Sequence, residues 1–137
     1  MNVVITRKDL EKIDHCLNRM VSSSFANFVL LIDRSGQLIA HQGRTPDVDI
    51  LALAALTAAN FGATAEIARL LGEEEFTLLF HKGRTENVYF SAIGDHSIMV
   101  TLFDDKTSLG LIRLKINQTI DELSVLVSAI FEKGNKS

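Results

Sequence analysis

The side chains able to do acid–base or metal chemistry are few in this chain of 137 residues, and they are widely separated. It has four histidines: His15, His41, His81 and His96. No two of them stand at the short spacing that a metal site or a general base would use. The acidic run Glu73–Glu75 and the pair Asp104–Asp105 fall in predicted loops, where solvated turns explain them more simply than paired catalytic carboxylates do. We therefore predict no catalytic residue, no metal site and no cofactor.

A short motif occurs twice, as HQGRT at His41–Thr45 and as HKGRT at His81–Thr85, each just after a predicted strand. The two copies could be a relic of duplication or a pair of basic tips that touch phosphate. Neither copy is a phosphate-cradling P-loop, because the Gly-rich run followed by Lys and Ser or Thr is absent. Such echoes in strand-end turns are more often coincidence, and we assign them no function.

Composition and charge narrow the classes of function. Hydrophobic residues make up 47% of the chain, with one proline and eight glycines, which excludes disorder. The net charge of −3 and the pI near 5.8 argue against nucleic-acid binding. No charge-free apolar run reaches the roughly 18 residues of a membrane span, and the first residues become charged too early for a secretory signal. A single cysteine, Cys16, permits no internal disulfide and indicates a reducing compartment. We expect one cytoplasmic domain over residues 1–137.

The other elements are arranged around one long helix, predicted from Thr45 to Gly72. Thr45 can cap its first amides, Pro46 suits the first helical position, and Gly72 supplies a left-handed stop. At about 100° per residue the apolar side chains fall into more than one sector. The expected core face comprises Leu53, Leu56, Ala63, Ile67, Leu70 and Leu71. A second apolar sector comprises Ile50, Ala54, Phe61, Ala65 and Ala68. The far side carries Leu51, Ala55, Ala58, Ala59 and Gly62, followed by Glu66 and Arg69.

A sheet can cover only one face of this helix, so we expect something outside the chain to cover another. The alternative is a helix enclosed on all sides by its own domain. We rank it second, because a chain of this length has too few other elements to enclose the helix.

The remaining pattern predicts a helix over 6–21, a hairpin of strands over 25–32 and 37–42, and a meander of strands over 76–82, 87–93 and 97–103. Residues 109–117 alternate like a sixth strand, yet they also continue a helical stripe, and we favour one helix over 108–133. The predicted fold is therefore α+β, a five-stranded antiparallel sheet with helices on both faces.

Three stretches in this order resemble the roadblock / dynein-light-chain domain family: FVLLIDRSGQLIA, ILALAALTAANFGATAEIARLLGE and IMVTLFDDKTSLGLIRLKI. The resemblance covers the chain from about Ser23 to Phe131. It is greatest to the stand-alone bacterial and archaeal members, above all the Mgl-type polarity regulators, which also have a helix before the hairpin.

The resemblance implies a homodimer or heterodimer in which central helices pack across a two-fold axis and third strands pair. The dimer contacts it implies are Ile50, Ala54, Phe61, Ala65, Phe76, Leu78 and Phe80. It also implies that a small Ras-like GTPase docks on the face formed by the central helices, here Leu51, Ala55, Ala58, Ala59, Gly62, Glu66 and Arg69.

The implied function is a non-enzymatic GTPase regulator, which would activate hydrolysis or act in a related way. The alternative is a dimeric adaptor of the dynein-light-chain type that leaves GTP turnover unchanged. A weaker option is a small-molecule sensor, which would need a polar cluster in the core. An arginine from this chain could reach the GTPase, with Arg34, Arg44, Arg69 and Arg84 as candidates, although the family supplies no such motif.

Overall fold

The structure is a computed structural model that describes residues 5–75 and 79–135. Within these ranges three helices and five strands follow one another along the chain. They are α1 (Arg7–Ser24), β1 (Phe28–Asp33), β2 (Leu38–Gly43), α2 (Ile50–Leu70), β3 (Leu79–Lys82), β4 (Asn87–Ile93), β5 (Ser97–Phe103) and α3 (Leu109–Asn135). This is the predicted element order, and the fold is α+β as expected.

The strands form one antiparallel sheet in the order β2-β1-β5-β4-β3. Strands β4 and β5 have the predicted limits, and β3 lies at an edge of the sheet as predicted. The β3 prediction began at Phe76, but Phe76 and Leu78 lie outside the described residues. The inner strand β1 is buried along its whole length, because helices cover both of its faces.

Two apolar clusters, one on each face of the sheet, form the core. Helices α1 and α3 cover one face, where Ile13 and Leu17 of α1 meet Ile112 and Ile116 of α3 above the sheet. Helix α2 covers the other face alone. The layers are therefore two helices, a sheet and one helix. The single cover on the second face leaves much of the circumference of α2 without a neighbour in the described chain.

The limits of α1 and α3 follow local capping signals. The Thr6 hydroxyl accepts a hydrogen bond from the amide of Asp9 at 3.1 Å, so α1 starts where predicted. It runs to Ser24, three residues beyond the predicted end, and stops where Phe25 adopts a left-handed φ of 61°. The Ser108 hydroxyl accepts from the amide of Leu111 at 3.1 Å, and the segment over 109–117 is helix, as favoured.

The predicted start of α2 was wrong, whereas its stop is confirmed. The helix begins at Ile50, where the Asp49 carboxylate accepts from the amide of Ala52 at 3.1 Å. Asp is as good a cap as Thr, so Thr45 and Pro46 remain in the preceding loop. At the other end Gly72 has a φ of 79°. Its amide donates to the carbonyl of Arg69, and the amide of Glu73 donates to that of Ala68, which is a Schellman stop.

Candidate functional site

Helix α2 contacts the sheet through the sector that the sequence had assigned to an outside partner. Ala54 is fully buried and Phe61 is 8% exposed, and both lie in the cluster with Phe28, Leu30 and Val100 of the sheet. The prediction of the core face was therefore wrong. Two apolar sectors of similar width compete for the sheet, and burial of the Phe61 ring favours the one that carries it.

This orientation changes the residues available for a dimer contact. Ile50 is half-buried and packs, like Ala54 and Phe61, against the chain's own sheet, so these three side chains do not form a free surface. Ala65 is exposed. Phe80 is half-buried on β3, where its ring stacks on Phe103 at 5.8 Å between centroids, on the face covered by α1 and α3.

The side chains expected to form the core face instead point into solvent. We call Leu56, Ala63, Ile67 and Leu70 the leucine face. Leu56 is 69% exposed and Leu70 is 79% exposed. Leu71 at the helix cap is also exposed, whereas Leu53 is half-buried against the cluster under α2. An apolar stripe of this size on a folded subunit is typical of a protein contact.

The predicted partner surface lies next to the leucine face. We call Leu51, Ala55, Ala58, Ala59, Gly62, Glu66 and Arg69 the alanine face. All of them are exposed except Ala58, which is half-buried. A Cβ added to Gly62 would meet no atom within 4 Å. A single carboxylate oxygen of Glu66, Oε2, accepts from Nε of Arg69 at 3.1 Å and also from one of its Nη atoms, so these two charges largely compensate each other.

The apolar character of α2 also passes a test for membrane spans. By length and composition alone, this helix of 21 residues could cross a bilayer, and 11% of its apolar window is buried. The test finds no other such helix among the described residues. The helix contains Glu66 and Arg69, whereas the expectation from the sequence concerned runs free of charge. The sheet-facing sector of α2 accounts for part of its apolar content without a membrane.

The small residues of the alanine face are partly explained by contacts within the subunit. The turn between β1 and β2 lies against α2, and a Cβ built on Gly36 would stand 3.2 Å from the Cα of Ala55 and 3.5 Å from the Cβ of Ala58. Ala55 and Ala58 therefore lie close to the turn. Ala59 and Gly62 have no such internal reason among the described contacts, which makes them the more informative part of the face.

The same turn holds charged groups whose importance the sequence did not reveal. Asp33 is 8% exposed, and its Oδ1 accepts from the Ser35 amide at 3.0 Å, the Ser35 hydroxyl at 2.7 Å and the Gln37 amide at 2.9 Å. Arg34 is exposed, with its guanidinium 5.0 Å from the centre of the Phe61 ring. From the sequence, the segment Asp33–Gly36 (DRSG) indicated only an ordinary hairpin turn. Only the fold shows that it borders α2.

The described residues hold no metal-binding cluster, and the two HxGRT motifs are far apart. They contain no group of three or more His, Cys, Asp or Glu side chains able to hold a metal ion. His41 and His81, which begin the two HxGRT motifs, lie on β2 and β3 at opposite edges of the sheet. Four strand spacings of about 4.8 Å separate such edges by roughly 19 Å, so the two motifs cannot hold one phosphate together.

The core contains polar groups that the sequence analysis did not foresee. Ser91 on β4 and Thr101 on β5 are buried under α3, and their hydroxyls have no hydrogen-bond partner among the described residues. These oxygens have almost no accessible surface, so a ligand could reach them only if the core opened. Burial also raises the pKa of the Cys16 thiol, with the nearby Glu122 carboxylate acting in the same direction. Cys16 is an unreactive core residue.

The order of elements, the sheet and the lone covering helix are now sufficient for comparison with known proteins. A family model for the Roadblock/LC7 domain matches residues 12–103. The chain belongs to the Roadblock/LC7 family. No curated protein sequence matches it significantly.

This roadblock chain is also similar to several solved structures. It is similar to MglB from Myxococcus xanthus, with 37% identity, a TM-score of 0.85, and 93% of this chain and 96% of that chain covered. It is also similar to the gliding protein MglB from Thermus thermophilus, with 29% identity, a TM-score of 0.85, and 93% and 97% covered. Profilin II from Acanthamoeba castellanii, at 15% identity and a TM-score of 0.58 over 81% of this chain and 95% of that chain, shares the fold alone.

Proposed function

We propose that this roadblock protein is a non-enzymatic, homodimeric regulator of a small Ras-like GTPase, which docks on the alanine face. The exposed apolar surface of α2 is the observation that carries the proposal. The similarity to MglB structures over nearly the whole chain supports it. The sequence resemblance to Mgl-type polarity regulators implies the same kind of partner, a small Ras-like GTPase.

We assign the dimer contact to the leucine face and the edge of β3. Leu56, Ile67 and Leu70 are exposed on one side of α2, and each could contribute up to about 1.5–3 kcal/mol if fully buried against a second copy. The short strand β3 leaves its outer backbone groups at the sheet edge, where a second β3 could pair with them. A two-fold axis satisfies both contacts at once, because each face then meets its own equivalent.

The alanine face then remains open for the GTPase. Its small side chains at Ala59 and Gly62 allow another backbone to approach closely, as in interfaces built on small residues. The Glu66–Arg69 pair adds polar groups with a defined direction at one end of this face. A surface of small side chains with one compensated ion pair should bind the GTPase mainly through complementary shape.

Regulation in this scheme acts through the conformation of the GTPase. We expect this roadblock chain to supply no catalytic group of its own, and its described residues contain no group of three or more side chains able to hold a metal ion. Hydrolysis would therefore use the groups of the GTPase itself, with the dimer binding preferentially to the arrangement of switch segments that is competent for hydrolysis. A ligand shifts such an equilibrium only by its difference in affinity for the two states.

The rate of GTP hydrolysis tests this proposal. A purified Ras-like GTPase encoded beside the gene for this chain is assayed with increasing amounts of the protein. We expect stimulation that saturates with the concentration of dimer. Binding without a change in turnover would replace the regulator by an adaptor, and no binding would overturn both assignments.

A further inference from the structure

Arg34 has a position different from that of the other arginines considered from the sequence. Arg69 is paired with Glu66 on α2. Arg44 follows β2 in the loop before α2, and Arg84 lies in the turn between β3 and β4. Arg34 lies in the β1–β2 turn, directly beside α2. It is therefore the one of these four that borders the alanine face and has no carboxylate within 4 Å among the described residues.

The guanidinium of Arg34 is held in place from several directions. One Nη donates to the carbonyl of Gly94 at 3.3 Å, and the group lies 5.0 Å from the centre of the Phe61 ring. The main-chain amide of Arg34 donates to the carbonyl of His96 at 3.2 Å. A guanidinium that packs on an aromatic ring and also donates to a carbonyl loses less conformational freedom on binding than an unrestrained side chain does.

The turn that carries Arg34 is itself fixed. The three hydrogen bonds accepted by Asp33 close the turn, and Gly36 places it against the backbone of Ala55. Arg34 and Ala65 line the same cavity of about 340 Å³ beside α2, which shows how near the cation lies to the exposed helix. A protein bound on the alanine face would therefore meet the turn as part of the same surface.

No carboxylate of the described chain lies within 4 Å of the Arg34 guanidinium, although Glu74 and Glu75 line the same cavity. A guanidinium has five N–H donors, and one is used here, on Gly94. The remaining donors and the positive charge are complementary to a carboxylate, which a planar guanidinium binds through two parallel hydrogen bonds. The Glu66–Arg69 pair is already satisfied and offers no net charge of this kind.

We propose that Arg34 is a specificity-determining contact of the docking face, and that it pairs with an acidic side chain on the surface of the bound GTPase. This assignment rests on the proposed function, and it extends the docking face from α2 to the β1–β2 turn. The role is in docking, so the effect falls on affinity and on its dependence on salt, and the rate of hydrolysis at saturation stays unchanged.

The test compares Arg34→Gln with wild type, using the full chain and the GTP-bound GTPase. Arg113→Gln is the matched control, because Arg113 is an exposed arginine on α3, across the sheet from α2. The dissociation constant is measured by titration calorimetry at low and high salt, and hydrolysis is measured at saturating dimer. For Arg34→Gln we expect affinity about five- to tenfold weaker at low salt, and a smaller salt dependence. Arg113→Gln should behave as wild type.

Two further variants separate the possible failures. Arg34→Lys keeps the charge but loses the planar fork, so its affinity should lie between those of wild type and Arg34→Gln. Wild-type affinity in Arg34→Gln, together with lost binding in Gly62→Arg, would overturn the role of Arg34 and leave the docking face intact. A slower saturated rate at unchanged affinity would also overturn it. If wild type itself does not bind, the proposed function fails first.

Discussion

The Cα of Ala55 lies 3.2 Å from the point where a Cβ on Gly36 would stand. Gly36 has a φ of 97°, a conformation that residues with a side chain rarely adopt. The hairpin turn thus meets the helix backbone to backbone, and both are held in one unit. This contact and the positive φ explain why a glycine ends the DRSG turn.

Replacing Gly36 by Val should destabilise the protein. The side chain would face both the left-handed backbone, which costs roughly 1–2 kcal/mol, and the Ala55 contact, where overpacking typically costs about 1–3 kcal/mol more. Chemical denaturation followed by circular dichroism measures the change in the free energy of unfolding. A change below about 0.5 kcal/mol, the range of an ordinary surface substitution, would contradict the close packing of turn and helix.

Gly62→Ala is the matched control for that experiment. Gly62 sits inside α2 with open space around it, and Ala gains about 0.8–1.0 kcal/mol over Gly in a helix interior. We therefore expect Gly62→Ala to stabilise the protein, opposite in sign to Gly36→Val. Loss of stability at both glycines would mean that the surroundings of Gly62 are not as open as the structure has them.

Self-association through the leucine face is tested by charge. The double substitution Leu56→Glu with Ile67→Glu would place two carboxylates on each subunit, facing their equivalents across the proposed two-fold axis. In a separate subunit both positions are exposed to solvent, so the fold should be unaffected. Analytical ultracentrifugation should show the double variant as a folded monomer at concentrations where we expect wild type to be a dimer.

The control pair for the leucine face is Leu114→Glu with Val125→Glu. These exposed apolar residues lie on α3, across the sheet. They should leave the oligomeric state unchanged. A double variant of the leucine face that sediments as wild type would exclude this face as the dimer contact.

Part of the loss in folding stability at low pH should come from Asp104. The Asn27 side-chain amide, which donates to Oδ2 at 3.0 Å, lowers the pKa of this carboxyl, and the Lys106 amide at 2.9 Å adds to the effect. A carboxyl with a lowered pKa in the folded state stabilises the fold above its unfolded value, about 3.9. That contribution is lost as the pH falls from there through the folded value.

Removal of the Asn27 amide should move this titration. In Asn27→Ala the pKa of Asp104 rises towards its ordinary value, and the stability lost through this group on acidification becomes smaller. Carboxyl carbon NMR during a pH titration follows Asp104 directly, and Asn117→Ala on α3 serves as control. An Asp104 titration that is the same in Asn27→Ala and wild type would contradict the assigned cause.

The sequence predicted the number, order and type of the elements because strands and amphipathic helices leave clear periods. Alternation and turn residues placed the limits of β4 and β5 correctly. The start of α2 was missed because Thr45–Pro46 and Asp49 are competing caps, and local patterns do not rank them.

The orientation of α2 was beyond sequence reasoning for a different reason. Its apolar residues are spread almost evenly around the helix, so the pattern has no direction that would indicate the sheet. Thr57, 3% exposed, even faces inward while Leu70 faces solvent. The contacts of Gly36 and Arg34 with α2 join segments far apart in the chain, and turn residues alone do not reveal them.

Gly62→Arg places a large cation in the middle of the alanine face, at a position where an added Cβ meets no atom within 4 Å. It is a cleaner probe than Ala58→Arg, because Ala58 is half-buried beside the Gly36 turn and Gly62 is exposed. The matched control is Gln118→Arg, an exposed position on α3. Both variants should keep the fold and the oligomeric state of wild type.

The most direct measurement is the dissociation constant of each variant for the GTP-bound Ras-like GTPase, determined by calorimetry on the dimer. The docking assignment predicts at least tenfold weaker binding by Gly62→Arg, about 1.4 kcal/mol, and wild-type binding by Gln118→Arg. Wild-type affinity in Gly62→Arg would contradict it.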